Sequence, residues 1–251
     1  MTFFFLFVLG LIIGSFLNVC IYRLPRALSI HRPRRSFCPA CDHSLTTRDL
    51  VPVLSFLLQR GKCRYCRAPI SWRYPAVELL AGIAFLLAGT IPVSWLQLIP
   101  ILVFISVLIV LFFTDVEHYI VPDAVTFPGI VFFLAVSFLQ GRLVDALWAM
   151  VIGAGFFILI LILGKYFYKQ DVMGWGDVKL VAMLGAFLGV PLLIGSLYLS
   201  FILGSVIGVF LLATKLKSRK DLIPFAPFLI LGALPALYAG DAIKGWLFKF
   251  F

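Results

Sequence analysis

Charged residues are scarce in this sequence. Lysine, arginine, aspartate and glutamate make up 13% of its 251 residues, whereas 63% are hydrophobic and the mean hydropathy is +1.10. A soluble domain of this size carries a more polar surface, so the composition excludes that class. The apolar runs reach the roughly 20 residues that a helix needs to cross a bilayer, which predicts an all-α polytopic membrane protein.

The first residues lack the features of a cleavable signal peptide. No basic residue precedes the apolar run that starts at Phe3, and no small-residue cleavage site follows that run. The first basic residue is Arg23, after the run. Because basic loops stay in the cytoplasm, we expect the N-terminus outside and the following loop inside.

Acidic residues are also few, at 11 against 21 lysines and arginines, which gives a net charge of +10. Eleven of the basic residues lie between Arg23 and Arg73, where only Asp42 and Asp49 oppose them. Membrane topology accounts for such a loop. Nucleic-acid binding is the alternative, but neither an aromatic-interleaved basic face nor a nucleic-acid fold signature accompanies the charge. We therefore predict no nucleic-acid partner.

Glycines, prolines and basic residues interrupt the apolar sequence and divide it into about eight predicted transmembrane helices. We therefore expect the lipid bilayer to be a partner of the protein. The predicted spans are residues 3–22, 76–89, 96–113, 124–139, 147–163, 178–188, 192–213 and 225–238. With both termini outside, every strongly basic loop, including residues 215–220, falls on the cytoplasmic side. The sixth span is too short to cross untilted, but its glycines and alanines permit close helix packing.

Four of the five cysteines form two CxxC pairs in the basic loop, Cys38 with Cys41 and Cys63 with Cys66. Four thiolates at this spacing suit a closed, tetrahedral, structural Zn²⁺ site. A cytoplasmic loop is in a reducing compartment, which disfavours two stable disulfides. Redox use and free thiols remain the alternatives. We expect the fifth cysteine, Cys20, to be a small packing residue in the first span.

Asp115 and Asp177 stand where long apolar runs meet polar breaks. A carboxylate at the edge of hydrocarbon is costly, which makes each one a candidate functional group. If two such groups meet, they can share a proton and act as base and acid on a peptide bond. The sequence alone does not choose between Asp115 and Asp123 as the first member of such a pair. Asp123 is also a plausible helix N-cap, and an N-cap role is the alternative for Asp177.

Five segments, in this order, resemble the type IV prepilin peptidases, a family of GxGD intramembrane aspartyl proteases. GxGD alone is a weak motif, whereas five segments in one order are specific and span most of the chain. The segments are Gly14-Ser15-Phe16-Leu17-Asn18-Val19 with Tyr22-Arg23-Leu24-Pro25, the paired CxxC motifs, residues 71–80, residues 115–123 and Met173-Gly174-Trp175-Gly176-Asp177-Val178-Lys179-Leu180.

The resemblance implies that Asp115 and Asp177 are the catalytic pair and that Asp123 is a structural neighbour. Gly174 and Gly176, which have no side chain, would let backbone and substrate approach Asp177 closely. The implied substrates are prepilins or pseudopilins of type IV pili, type II secretion or competence, cut between Gly and Phe at the cytoplasmic face of the bacterial inner membrane. The implied division is a first helix at 1–22, a basic zinc loop at 23–74 and a protease domain at 75–251.

Many members of the resembled family also methylate the new N-terminus with S-adenosylmethionine, so we expect this second activity, with the zinc loop as its domain. Glu78, at the start of the second span, could hold a substrate or cofactor amine, and a salt bridge with Arg73 is its alternative. The sequence shows no glycine fingerprint of a soluble methyltransferase. Lys179 could support the charge of the aspartate pair, although snorkelling to the interface is the favoured interpretation.

Two other function classes compete with the enzyme. An ion-coupled transporter would also have Gly- and Pro-broken spans with acidic residues, but the hydropathy has no symmetric halves and the acids lie at the membrane edge. A zinc-loop scaffold would explain the cysteines and leave both aspartates without a role.

Overall fold

The structure, a computed structural model, describes residues 1–33, 35–169, 173–216 and 223–238, without the side chain of Tyr168. Within these ranges the regular structure is helical, as predicted, with two isolated β-bridges in the cysteine loop. The helices are α1 (Thr2–Arg23), α2 (Leu54–Leu58), α3 (Arg73–Ala88), α4 (Trp95–His118), α5 (Asp123–Leu139), α6 (Leu143–Tyr168), α7 (Trp175–Leu188), α8 (Val190–Ala213) and α9 (Ala226–Tyr238).

Four helices, α1, α4, α6 and α8, are long and apolar enough to cross a membrane, and α5 and α9 are shorter apolar helices. With α3 and α7 they follow the order of the eight predicted spans, so the helix order is compatible with eight crossings. The protein is an all-α membrane protein whose cysteine loop connects α1 to α3.

Two helix boundaries differ from the sequence expectation at the candidate aspartates. Helix α4 continues past residue 113 to His118, so Asp115 lies in its last turn; the helix ends where Tyr119 adopts a positive φ of 55°. Helix α5 begins at Asp123 with Pro122 at the N-cap and no side-chain cap. The N-cap role expected for Asp123 was wrong, because its carboxylate has another partner.

The chain forms two compact units, Met1–Phe113 and Thr114–Phe251. In the first unit, α1 and α3 pack closely because small residues face each other. A Cβ on Gly10 would lie 2.5 Å from the carbonyl oxygen of Ala81, and one on Gly14 would lie 2.7 Å from the Cα of Glu78. Only glycine permits this approach between the two backbones.

Arg23, the last residue of α1, holds the beginning of the loop. Its guanidinium is buried and donates hydrogen bonds to four carbonyl oxygens, at distances from 2.8 to 3.3 Å. A guanidinium has five N–H groups and can satisfy several carbonyls at one point. The acceptors are the carbonyls of Ser29, Ile30, Pro33 and Arg35.

In the second unit, α7 packs against α5, α6, α8 and α9. Ten of its 14 residues are buried, which explains why this short helix has apolar or small residues on almost every side. A Cβ on Gly185 would meet the backbone of Ala149 at 2.8 Å, and Ser137 donates a hydrogen bond to the carbonyl of Ala186. The expected role of glycine and alanine in this segment, close helix packing, agrees with these contacts.

The boundary between the units falls inside α4, whereas the sequence placed a functional boundary at residue 75. That functional division stays a prediction, since contacts between elements do not assign activities. Of the predicted basic loop at 215–220, only Lys215 and Leu216 belong to the described residues, and residues 217–220 lie outside them.

Candidate active site

Asp115 lies in the last turn of α4 and is 6% exposed. The backbone N–H of Ala226, the first residue of α9, is a hydrogen-bond donor to its carboxyl group. The helix continues beyond Asp115 because Tyr119 donates its N–H to the Asp115 carbonyl at 2.8 Å. Helix geometry and the partner on α9 therefore fix the position of this carboxyl group.

Asp177 lies in the first turn of α7 and is 8% exposed. Gly174 is the N-cap of α7, and the N–H of Asp177 donates to the Gly174 carbonyl at 3.2 Å. The N-cap alternative for Asp177 was therefore wrong, because the N-cap lies three residues earlier and the helix begins at Trp175. A carboxylate in this first turn is favoured by the partial positive charge of the helix N-terminus.

The structure brings Asp115 and Asp177 together inside the second unit. Asp115 lies close enough to act electrostatically on the Asp177 carboxyl group, and both side chains are buried. Two like charges in contact and shielded from water cannot both ionise readily, so the pair can hold one proton between them. This arrangement provides a base and an acid at one place, which the linear sequence could not show.

Asp123 differs from the pair in both exposure and partner. Its side chain is 58% exposed and accepts a hydrogen bond from the Lys179 ammonium, which also lies 5.6 Å from the centre of the Phe127 ring. This ion pair was not among the roles expected for Lys179. Asp123 is therefore a neutralised surface carboxylate.

The two glycines before Asp177 have different surroundings. A Cβ on Gly176 would lie 2.8 Å from the Cβ of Val121, in the turn between α4 and α5, so this position has no room for a side chain. A Cβ on Gly174 would meet nothing nearer than the Gly176 nitrogen at 3.9 Å. Close approach therefore requires glycine at 176 and not at 174.

The four loop cysteines form one cluster, with their sulfur atoms all within 4.8 Å of one another. Each CxxC pair is a tight turn closed by an antiparallel bridge, Phe37 with Ser44 and Lys62 with Pro69. The sulfurs of Cys38 and Cys66 are 3.9 Å apart. This separation fits two corners of a tetrahedron with metal–sulfur bonds of about 2.3 Å, so the cluster could bind a metal ion.

The electrostatics of the cluster also fit a cation. Backbone N–H groups of Cys66 and Tyr65 lower the pKa of the Cys63 thiol to about 7. At Cys41 a backbone hydrogen bond from His43 favours the thiolate, but burial and the neighbouring thiols raise the pKa to about 12. The sulfurs resist simultaneous ionisation, and a bound divalent cation would remove that resistance.

Asp49 organises the same loop, which sequence reasoning did not identify. Its carboxylate accepts hydrogen bonds from the N–H and hydroxyl of Thr46, from Gln59 and from Tyr65, and lies 3.6 Å from Arg64. Burial opposes its ionisation, but these donors hold the pKa of Asp49 below its usual range. The only sequence signal was an isolated acid among basic residues.

The chain is similar to known proteins over most of its length. The model of the bacterial peptidase A24 N-terminal domain matches residues 8–91, and that of the type IV leader peptidase family matches residues 102–209. A protein of Bacillus subtilis (strain 168) named prepilin leader peptidase/N-methyltransferase is 38% identical over 250 residues, which cover 97% of each chain. This chain belongs to the type IV leader peptidase family.

Other proteins with the same name resemble this member of the type IV leader peptidase family over most of its length. One of Aeromonas hydrophila is 37% identical over 272 residues, covering 96% of this chain and 91% of the relative. One of Myxococcus xanthus (strain DK1622) is 44% identical over 211 residues, covering 83% of this chain and 62%, less than two thirds, of the relative. No solved structure matches the chain significantly.

Glu78 lies in the part that matches the N-terminal family model, and it is 8% exposed. One carboxylate oxygen accepts a hydrogen bond of 2.7 Å from the N–H of Val53, and the Ser15 hydroxyl lies beside the same group. These contacts differ from the salt bridge with Arg73 that was the alternative for Glu78, and the Arg73 guanidinium lies over the ring of Tyr74 at 4.7 Å. Glu78 therefore connects α3 to the cysteine loop in this leader peptidase.

Proposed function

We propose that this chain is a membrane endopeptidase that removes the basic leader of type IV prepilins or pseudopilins, and that it methylates the amine which cleavage exposes. The observation that carries the proposal is the buried, mutually interacting pair Asp115 and Asp177. The family membership supports the same reaction. By this proposal the substrate is cut between Gly and Phe at the cytoplasmic face of the bacterial inner membrane.

In the proposed mechanism the two aspartates share one proton. The ionised carboxyl group takes a proton from a water molecule, whose oxygen attacks the carbonyl carbon of the scissile peptide bond. The other carboxyl group donates its proton to the carbonyl oxygen. When the tetrahedral gem-diol collapses, the C–N bond breaks and the departing nitrogen takes the proton that came from the water. A gem-diol hydroxyl returns its own proton to the other, ionised carboxyl group, so the pair again holds one proton for the next cycle.

Other residues have supporting roles in this proposal. Gly176 lets α7 pack against the turn that follows Asp115, and the Asp123–Lys179 ion pair connects the first residue of α5 to the first half of α7. Neither contact reaches the reacting atoms. Gly174 is the N-cap that places Asp177 in the first turn of its helix.

The first helix and the loop belong to the proposed methyl transfer. S-adenosylmethionine would supply the methyl group, and Glu78 would hold an amine, with Arg73 nearby. Zn²⁺ on Cys38, Cys41, Cys63 and Cys66 would stabilise the loop, which has few core residues of its own. The proposed division assigns residues 23–74 to methylation and residues 75–251 to proteolysis, with Glu78 contributed to methylation from the start of the second segment.

Cleavage of a defined substrate in membranes tests the proposal. The substrate has a basic leader, Gly before the cut and Phe after it, and mass spectrometry identifies the products. We expect Asp115→Asn and Asp177→Asn to insert normally and to be inactive, whereas the matched variant Asp123→Asn retains cleavage. A product heavier by one methyl group supports the second activity.

Either of two results would reject the protease. Wild-type protein could leave every such substrate intact, or both the Asp115 and the Asp177 variants could still cut. In those cases a transporter or a zinc-loop scaffold becomes the better explanation of the acidic residues and the cysteines.

A further inference from the structure

The first unit contains a cavity of about 390 Å³. Its lining comes from the end of α1, the cysteine loop and the start of α3, and includes Ser15, Asn18, Tyr22, Tyr74 and Glu78. A volume of this size lies within the usual range of small-molecule pockets, roughly 300–1,000 Å³. All of the lining residues belong to the same compact unit.

Asn18 places an unsatisfied acceptor at this cavity. Its side-chain NH₂ donates to the carbonyls of Gly14 and Tyr74, at 3.3 and 3.0 Å. Both partners are acceptors, so a flipped amide would place oxygen against oxygen, and the assignment of the NH₂ group is fixed. The remaining atom, Oδ1, is buried and has no donor among the described residues.

Such an acceptor is costly, because a buried polar atom without a partner loses its hydrogen bond to water. The cost is removed if a ligand supplies an N–H or O–H group. Asn18 is 3% exposed and lines the cavity, so the cavity offers the space for such a donor.

Glu78 provides a buried carboxyl group in the same lining. A carboxylate has about four acceptor positions. The Val53 N–H occupies one of them, and the Ser15 hydroxyl lies beside the group. The carboxylate therefore has capacity for a further donor, and its negative charge favours a cationic one.

The packing of α1 against α3 brings the two residues that carry these acceptors near each other. Gly14 lies against the Cα of Glu78, and Asn18, one turn later on α1, bonds to the carbonyl of Tyr74, one turn earlier on α3. The two residues are thus offset by about one helical turn, roughly 5 Å, along the helix axes. A single small group with several N–H donors can serve both.

The arginines that line the cavity contact groups other than Glu78. Arg23 donates to four loop carbonyls, Arg26 donates to the Tyr22 carbonyl and lies over the Tyr22 ring, and Arg64 lies beside Asp49. Arg73 lies over the Tyr74 ring. The hydrogen bonds described for Glu78 involve none of these side chains.

We infer that Asn18 and Glu78 form a binding site for a primary ammonium group in this cavity. The inference rests on the proposed function, since two reactants of the methyl transfer carry such a group. One is the new N-terminus of the cleaved substrate, and the other is the amino-acid end of S-adenosylmethionine. The shared chemistry is R–NH₃⁺, whose three N–H donors match the acceptors of both residues.

Direct binding to the full-length chain in nanodiscs tests the site without relying on turnover. The probes are tritiated S-adenosylmethionine, a peptide beginning with a free Phe amine, and the same peptide acetylated at its N-terminus. Glu78→Gln keeps an oxygen for the Val53 N–H but removes the charge. The matched control is Asp42→Asn, an acid-to-amide change in the cysteine loop outside the cavity lining.

We expect Glu78→Gln to weaken the binding of one free-amine probe about tenfold or more, the effect of losing a charged hydrogen bond, and Asp42→Asn to bind like wild type. The probe that is weakened identifies the source of the ammonium group. Asn18→Ala should weaken the same probe. Metal content and thermal unfolding show whether each variant is folded, since Asn18 also bridges α1 and α3.

The site is rejected if wild type binds neither free-amine probe, if acetylation of the peptide and loss of the Glu78 charge are both without effect on binding, or if folded variants bind both probes like wild type. Failure of the proposed function gives a different result. In that case Glu78→Gln weakens binding, but wild type neither cuts nor methylates any prepilin.

Discussion

Gly176 packs so closely against Val121 that a Cβ at position 176 would lie 2.8 Å from the Cβ of Val121. Inside a helix, alanine is normally more stable than glycine by about 1 kcal/mol. At this position the steric conflict opposes that preference, because it would displace the turn that follows Asp115. For Gly176→Ala, helix propensity predicts an increase in stability and the steric conflict predicts a decrease.

Gly176→Ala should therefore lower the melting temperature in detergent, with an overpacking cost of about 1–3 kcal/mol, and should reduce prepilin cleavage. Gly174→Ala is the matched control, since its Cβ has open space. The packing argument fails if Gly176→Ala raises the melting temperature and leaves cleavage unchanged.

The ion pair of Asp123 and Lys179 should contribute little stability. Its two side chains are 58% and 29% exposed, and exposed pairs usually contribute about 0.2–1 kcal/mol. A double-mutant cycle with Asp123→Asn and Lys179→Met, measured by chemical denaturation, should give a coupling below about 1 kcal/mol. A coupling of several kcal/mol would show instead that this pair holds α5 and α7 together.

The cleavage activity should have a bell-shaped dependence on pH. A pair that shares one proton is active only between loss of that proton and uptake of a second. The measurement is kcat/KM for a soluble leader peptide across the carboxylate range, with Asp123→Asn as the control that keeps the same profile. A flat profile would contradict shared-proton chemistry.

Asp49 should stabilise the loop in a pH-dependent way. Its folded pKa is lowered, so its contribution is fully present above the unfolded pKa of about 3.9 and is lost as the pH falls through the folded value. Asp49→Asn should cost roughly 1.5–3 kcal/mol at neutral pH, the range for hydrogen bonds to a charged group. Thermal unfolding of both proteins between pH 7 and pH 3 should show this gap closing on acidification; a gap that widens would refute it.

The cysteine cluster should hold one metal ion per chain. Cys38→Ser and Cys63→Ser remove buried ligands and should abolish the metal measured by mass spectrometry, and hydrogen exchange in residues 36–70 should then increase. Cys20→Ala changes a buried cysteine in α1, outside the cluster, and should retain the metal. Stoichiometric metal in both serine variants would exclude the four-cysteine site.

Much of the helix order could be predicted because hydrophobic length and polar breaks are local properties. The cysteine cluster was predictable as well, since two CxxC turns place their sulfurs within a few residues. The choice of Asp115 over Asp123 required the resemblance, and the structure supplies a physical difference between them: one is buried against Asp177 and the other is exposed beside Lys179.

Contacts between distant residues were not predictable from one sequence. Lys179 and Asp123 are 56 positions apart, and Glu78 and Val53 are 25 apart, so neither partner follows from the local pattern. Asn18 lies within the first segment that carries the family resemblance. Its unsatisfied oxygen becomes evident only from the structure, in which its NH₂ group donates to the carbonyls of Gly14 and Tyr74. The exact end of α4 at His118 and the exact start of α5 at Asp123 likewise depended on backbone geometry at Tyr119 and Pro122.

The tight contact of α1 with α3 has a consequence for the assembly of the protein during synthesis. Asn18 and Tyr74 are 56 positions apart, so α1 has to wait in the bilayer until the whole cysteine loop has emerged from the ribosome. A metal that joins Cys38 to Cys66 would close a loop of 28 of those positions. The entropic cost of bringing α1 and α3 together would then be lower. Metal binding would then favour the pairing of α1 with α3 in newly made chains, by about 0.6 kcal/mol for each halving of the open loop.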